Sequence, residues 1–413
     1  MPWTAMDPAL IDLAHEVRDL ASSPEHTARR ELWTALHALR PPRPLVHYAM
    51  YNHVWEREIA DTRQFAHRSG LARTIETQLR ARLWKARHIP DDEPILPTVW
   101  LSMPHPPGDD RLWGVALPSA RTDPLGAYKP IPPIRERGDL AILHAPPYQE
   151  LPDEARKLRD EAEELTGGLL PIKLHTDEIH YGPFEWVVRM RGMDNLLLDV
   201  VDDPGLVHDL MRIATDGVVA YHLAREAAGA VEAEASWSIH MLWDEYEGSG
   251  NRLKDCWAYV HAQSAASLSP RMYAEFIQPY NAEVAALFGK VYYHGCEDLS
   301  AKCRVIKGLP HLRLFHVGPW TPVEPVVECF GDSVALEVHS HPTNVLFAWT
   351  PEQTYDDLCM RHRAAHGVPH VLKLCDVETV GGNAARLATW AAMAREVVED
   401  SRSSSAVYEQ GRL

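Results

Sequence analysis

The sequence predicts an α/β protein, more specifically a (β/α)8 TIM barrel that follows an N-terminal helical arm. Eight short runs with strand composition recur along the chain, and helical patterns separate most of them. Strands that alternate with helices indicate a parallel sheet, and eight such units are the number that closes a barrel. The chain has 413 residues, of which 46% are hydrophobic, so it is long enough to enclose a barrel core.

The helical arm is predicted over residues 1–42. Asp7 and Pro8 have the form of a capped helix start, and apolar residues repeat at helical spacing from there. A second helical pattern covers residues 29–39, and Pro41 and Pro42 end the arm, because proline cannot continue a helix.

The barrel itself is predicted over residues 43–400. Its eight strands are expected at 45–51, 95–103, 170–175, 231–237, 290–293, 312–317, 333–338 and 370–374. Residues 104–150 are rich in proline and glycine and show no sustained period, so they are interpreted as an insertion in the barrel. A flexible tail is expected over residues 401–413.

Charge and composition exclude several classes of function. The net charge of −17 repels phosphate backbones, and no strong basic patch offsets it, so a nucleic-acid partner is not expected. No run of about 18 apolar residues is present, so no transmembrane helix is expected. Six cysteines without a compact spacing pattern, and an N-terminus without a secretory pattern, favour reduced thiols in a cytoplasmic protein.

The candidate site residues follow the predicted strands. In a parallel barrel the chemistry collects at the carboxyl ends of the strands, and several of the 23 histidines fall there. The candidates for proton transfer or for an open coordination position are Asp177, Asp244, Glu337 and His339. The candidates for substrate contacts are His180, Trp237 and Trp320.

The sharpest pattern at these strand ends is a possible metal triad. His294 and Cys296 are two residues apart, so on an extended strand end they point to the same side. Together with Cys375, at the end of the last strand, they offer an imidazole and two thiolates, which is a suitable partial set for tetrahedral Zn2+. Glu337, Asp177, Asp244 and His339 compete for the fourth position. The alternative is that the cysteines are small buried apolar residues.

Two long stretches resemble the uroporphyrinogen decarboxylase superfamily. The first, over residues 180–230, begins HYGPFEWVVRMRGMDNLLLDVVDDPG and is similar to the family's Gly-Pro-Phe turn and the helices after it. The second, over residues 267–296, reads SLSPRMYAEFIQPYNAEVAALFGKVYYHGC and is similar to the family helix that leads into a His-x-Cys strand end. The resemblance covers roughly residues 160–400.

The resemblance implies the zinc methyltransferase branch of that superfamily. Members of this branch use the His-x-Cys pair and a later cysteine as zinc ligands, which correspond to His294, Cys296 and Cys375 here. They move a methyl group between a small methylated substrate and a thiol or a corrinoid protein, so a corrinoid carried by a partner is an expected cofactor.

Two alternatives to this branch stay open. True decarboxylases of the superfamily hold an acidic tetrapyrrole through an N-terminal arginine motif, which LVHYAMYNHVWERE (45–58) lacks. A metal-free decarboxylase of another carboxylic acid is one alternative, and a non-catalytic barrel that acts as a binding subunit is the other. The insertion at 104–150 either covers an apolar surface or forms a homodimer contact.

Overall fold

A parallel six-stranded sheet forms the centre of the structure. The computed structural model describes residues 7–104, 112–121, 128–149, 151–175, 182–231 and 250–410. The strands are β1 (Leu45–Tyr48), β2 (Val99–Ser102), β3 (Ser119–Arg121), β4 (Tyr128–Pro130), β5 (Ile172–His175), β6 (Trp257–His261), β7 (Lys290–His294), β8 (Leu312–Val317), β9 (Ala335–His339) and β10 (His370–Leu374). The large sheet has the order β1-β10-β9-β8-β7-β6, β2 pairs with β5 in parallel, and β3 and β4 form an antiparallel hairpin.

This topology confirms a mixed α/β fold with parallel strands. Eight of the described strands pair in parallel, six in one sheet and β2 with β5 in another, which is compatible with a barrel-like fold in which β2 follows β1 and β5 precedes β6. Among the described residues neither of these two pairs is hydrogen-bonded, so the closed barrel stays a prediction.

Seven of the eight predicted strands are found where the sequence places them, whereas β6 and the short hairpin β3–β4 were not predicted. Of the predicted strand at 231–237, Val231 lies in no strand, and residues 232–237 lie outside the described part of the chain. Conversely, β6 was not predicted, although its sequence WAYVH carries the aromatic and β-branched residues typical of strands.

The helices surround the sheets. They are α1 (Pro8–Ala21), α2 (Pro24–His37), α3 (Asn52–Glu58), α4 (Gly70–His88), α5 (Pro152–Leu165), α6 (Pro183–Arg191), α7 (Met193–Asp202), α8 (Pro204–Ala227), α9 (Pro270–Phe276), α10 (Gln278–Ala285), α11 (Cys303–Ile306), α12 (Val323–Phe330), α13 (Pro351–Ala364) and α14 (Ala385–Gln410). None of the described helices is both long enough and apolar enough to cross a membrane.

Local signals account for several helix boundaries. The Asp7 carboxylate accepts hydrogen bonds from the first amides of α1, and the Ser23 hydroxyl accepts one from the amide of His26 in α2. Thr350 and Gln353 form a capping box at the start of α13. Ile277 divides α9 from α10, and α14 continues through the first ten residues of the predicted tail.

The two helices of the N-terminal arm pack on different parts of the molecule. In α1, Leu10 and Val17 join the core around β2, β5 and α4. In α2, Trp33 and Leu36 pack on inward-facing residues of the six-stranded sheet. The arm is therefore helical as predicted, and α2 covers the amino-terminal half of the sheet's inner side.

The insertion is anchored to the main core. Besides the hairpin β3–β4 it contains a 3-10 turn over residues 137–142, while residues 105–111 and 122–127 lie outside the described ranges. Trp113 and Ile134 are fully buried in the large core cluster. The described part of the insertion therefore packs as part of the same body.

Candidate metal site

Seven buried polar side chains line the inner side of the six-stranded sheet toward its carboxyl end. They are His47, His261, His294, His316, Glu337, His339 and Lys373, and none is more than 7% exposed. The strand registers bring neighbours side by side, as with His316 beside Glu337 and Lys373 beside both His47 and His339. Because side chains alternate along a strand, the intervening residues face the helices instead. Charged residues are rarely buried without partners, so the charged members of this row are expected to contact polar groups of opposite character.

Glu337 lies at the centre of this row. Its carboxylate accepts short hydrogen bonds from the ammonium of Lys373 and from the hydroxyl of Tyr292. The Nε2 atom of His339 lies 3.1 Å from Glu337 Oε2, and the Nδ1 atom of His316 lies 3.5 Å from it. The buried carboxylate is thus balanced by one buried ammonium, which avoids the cost of an isolated charge in the interior.

His316 is held through its Nδ1 atom. Its Nδ1 atom lies 3.1 Å from the hydroxyl of Tyr292, whereas its Nε2 atom is buried without a hydrogen-bond partner among the described residues. Burial, together with the neighbouring His339, lowers the pKa of His316 to about 4. The imidazole is therefore neutral near pH 7 and keeps a lone pair for a ligand.

His294 and Cys296 meet His316 at the end of β7. The Sγ atom of Cys296 lies 3.8 Å from His294 Nε2, and the rings of His294 and His316 are 4.3 Å apart between centroids. Candidate ligand atoms of these three residues, which we call the His-Cys-His group, all lie within 4.8 Å of one another. Burial raises the pKa of the Cys296 thiol to about 12, and the charges of Asp376, Glu297 and Glu337 act in the same direction. Only a nearby cation would make this thiol a thiolate near neutral pH.

Two further groups of candidate ligands lie close by. His316, Glu337 and His339 meet the same distance condition, so His316 belongs to two groups. His47, Asp91 and Glu93 also meet it, but Lys85 forms ion pairs with both carboxylates, at 2.9 Å from Asp91 Oδ2. We therefore interpret this last group as a buried ion-pair cluster.

The structure brings together only some of the residues that the sequence singled out. His294 and Cys296 are adjacent, and Glu337 and His339 join them through His316. Cys375 is 1% exposed and belongs to none of the three groups; its Sγ atom lies 3.6 Å from Asp376 Oδ1. Burial, followed by the charge of Asp376, raises the pKa of the Cys375 thiol well above its usual value.

The predicted substrate contacts are only partly visible. Trp320 lies three residues beyond β8, is 60% exposed, and meets the ring of His341 edge-on at 4.5 Å. The remaining candidates lie outside the described residues: Asp177, His180, Trp237 and Asp244. Their roles stay predictions.

Sequence reasoning missed two residues of this site, Lys373 and Tyr292. Lys373 is a lone cation within the apolar run HVLKL of β10, and that isolation was a usable signal. Tyr292 stands two residues before His294, so the alternation of a strand places both on the inner side. His316 lies near the end of the strand predicted at 312–317, but no role was predicted for it.

Comparisons with known proteins support a type of fold but identify no family for this chain. No family model matches the chain, and no curated protein matches it in sequence. One solved structure that it resembles is a methyltransferase from Methanosarcina mazei, with a TM-score of 0.53 and 12% identity over 89% of this chain and 97% of that chain. At this identity the likeness supports the α/β fold alone.

Proposed function

We propose that the protein is a zinc-dependent methyltransferase of the uroporphyrinogen decarboxylase superfamily. It moves a methyl group between a small methylated substrate and a thiol or a corrinoid protein. The observation that carries the proposal is the His-Cys-His group, which lies at the carboxyl ends of parallel strands. The likeness to a methyltransferase fold is consistent with it.

The residues at this site fit zinc. Imidazole nitrogen and thiolate sulfur are the donors that Zn2+ prefers, and a catalytic zinc commonly has three protein ligands and an open position. The buried Nε2 atom of His316 has no hydrogen-bond partner among the described residues, so its lone pair is available to a metal ion. His294 and Cys296 are the proposed first two ligands. The third is either Cys375, which the sequence favours, or His316, which the structure brings to them.

Bound zinc would act as a Lewis acid that activates a thiol at neutral pH or polarises the methylated substrate. The chain's own residues supply the rest. The Cys296 thiol gives up its proton when it becomes a ligand, since its pKa of about 12 keeps it protonated otherwise. Lys373 and Tyr292 hold Glu337 in one position, so the floor of the site is rigid.

The remaining roles follow the sequence predictions. His339, beside Glu337, is proposed for proton transfer together with Asp177 and Asp244. Trp320, with the ring of His341, is proposed to flank the substrate at the mouth of the site, with His180 and Trp237. A corrinoid-carrying partner would dock over the same opening.

The first test is the metal content of the purified protein. We expect about one zinc per chain in the wild type and almost none in Cys296→Ala, because the substitution removes one of only three protein ligands. Cys359→Ala is the matched control: Cys359 is a half-buried cysteine in α13, away from the site, and its replacement should leave the zinc in place. Methyl transfer from methylcobalamin to a small thiol should follow the zinc content across the three proteins.

Two results would overturn the proposal. If the freshly purified wild type holds no zinc and its turnover of a carboxylic acid survives chelation, the protein is a metal-free decarboxylase. If it holds no zinc and turns over neither class of substrate, it is a non-catalytic binding subunit.

A further inference from the structure

We propose that His316 is the third protein ligand of the metal, in place of Cys375, and that Lys373, Glu337 and Tyr292 hold it in the ligating tautomer. This inference rests on the proposed zinc site and names its ligand set. Its basis is a chain of buried contacts that runs from Lys373 through Glu337 and Tyr292 to His316.

The direction of each hydrogen bond in this chain is fixed by chemistry. The ammonium of Lys373 can only donate, and the Glu337 carboxylate that it meets accepts. The hydroxyl of Tyr292 has one hydrogen, and it donates this hydrogen to Glu337. At the 3.1 Å contact with His316, the tyrosine oxygen must therefore accept, so Nδ1 of His316 carries the hydrogen. In a neutral imidazole this leaves the lone pair on Nε2.

The backbone of Gly318 closely approaches that Nε2 atom. A Cβ atom at position 318 would lie 2.9 Å from His316 Nε2 and 3.7 Å from the carbonyl oxygen of Gly295. Gly318 does not have a positive φ. A side chain is therefore disfavoured at this position by lack of space and not by the backbone conformation. Gly295 stands between His294 and Cys296, so this position adjoins the backbone that carries the other two ligands.

A ligating histidine commonly donates its second ring N–H to a carboxylate, a carbonyl or a water, which fixes the ring and its tautomer. Here a tyrosine hydroxyl relays that contact to Glu337. His316, Glu337 and Lys373 are each 1% exposed and Tyr292 is fully buried, so water does not compete for these bonds.

Cys375 does not meet the same conditions. It belongs to no group of candidate ligands whose atoms lie within 4.8 Å of one another, and its thiol is directed to the carboxylate of Asp376. The cysteine is therefore assigned to packing beside the site.

The test compares zinc affinity in four variants, measured by chelator competition, together with the absorption spectrum of the Co2+-loaded proteins. His316→Gln should lose more affinity than Tyr292→Phe, for which we expect a loss of about 10- to 100-fold as for other residues that support a ligand. Cys375→Ala should bind zinc as the wild type does. Tyr293→Phe is the matched control, because Tyr293 is the next residue on β7, is equally buried, and bonds Tyr273 on the opposite face.

The Co2+ spectrum separates a lost ligand from a loosened fold. One thiolate charge-transfer band should appear in the wild type and persist in Cys375→Ala, because Cys296 is then the only cysteine ligand. Zinc affinity lost in Cys375→Ala, or unchanged in both His316→Gln and Tyr292→Phe, would overturn the inference and leave the zinc methyltransferase proposal standing. A wild type without zinc would instead remove both. If His316→Gln fails to fold, the isosteric Tyr292→Phe and its control Tyr293→Phe decide the question.

Discussion

The inner side of the six-stranded sheet has two halves that differ in character, although on most strands their residues are only two positions apart. Toward the amino end it is apolar, with Leu45, Trp257, Leu314, Ala335 and Val371 packed beneath Trp33 and Leu36 of α2. Toward the carboxyl end the same strands present the buried polar row, with His47, His261, His316, Glu337 and Lys373.

This contrast separates stability from chemistry. The apolar half gains free energy by removing large side chains from water, and α2 completes it as a cover. The polar half costs free energy, because each buried charge must be compensated by a precise partner. The free energy gained by packing in the amino-terminal half offsets the cost of burying polar groups in the adjacent half.

The largest effect on stability is expected where the polar half loses its compensating charge. Lys373→Met leaves the Glu337 carboxylate buried without its ammonium partner, so the free energy of unfolding should fall by about 3–5 kcal/mol. Urea denaturation measures this change. Adding Glu337→Gln to the same chain should recover most of the loss, since it removes the buried charge and keeps an acceptor for Tyr292. A double variant as unstable as the single one would show that packing, and not charge balance, holds this half together.

A somewhat smaller loss, without any loss of metal, is expected in the apolar half. Leu314 stands two residues before His316 on β8 and is 1% exposed, so Leu314→Ala should lower the free energy of unfolding by about 2–5 kcal/mol. Zinc content should stay at the wild-type level, because the substitution leaves the ligands untouched. Elemental analysis of the folded variant checks this, and a parallel loss of zinc would mean that the two halves are not separable.

The smallest effect concerns a buried histidine of the cover rather than of the site. Burial, and then the charge of Arg29, lowers the pKa of His26 in α2 from 6.5 to about 4, and its Nδ1 atom accepts the amide hydrogen of Ile95. The unfolded chain therefore binds a proton more readily than the folded one. This contribution to stability is present above pH 6.5 and is lost as the pH falls toward 4.

His26→Gln keeps a hydrogen-bond acceptor and removes the titration. Urea denaturation at a series of pH values should show a shallower fall in the free energy of unfolding between pH 6.5 and 4 than in the wild type. Identical slopes for the two proteins would show that groups other than His26 cause the loss of stability at acid pH.

Much of this architecture is local and was predictable. Helix caps at Asp7 and Ser23, and short strand-like runs between helical patterns, specify elements through contacts within a few residues. The pairing of His294 with Cys296 was predictable for the same reason, since a strand places residues two apart on one side. The strand β6 was missed because five residues with two aromatic rings and a histidine give only a weak signal.

By itself, then, the sequence determined the class of the fold, the helical arm and the polar character of the strand ends. Only the tertiary structure decided that α2 covers the sheet, that His316 joins His294 and Cys296, that Lys373 and Tyr292 hold Glu337, and that Cys375 stands outside the three groups. The period of a strand says which side a residue faces. Which residues of different strands meet there depends on strand order and register, and these are set by the packing of the whole sheet.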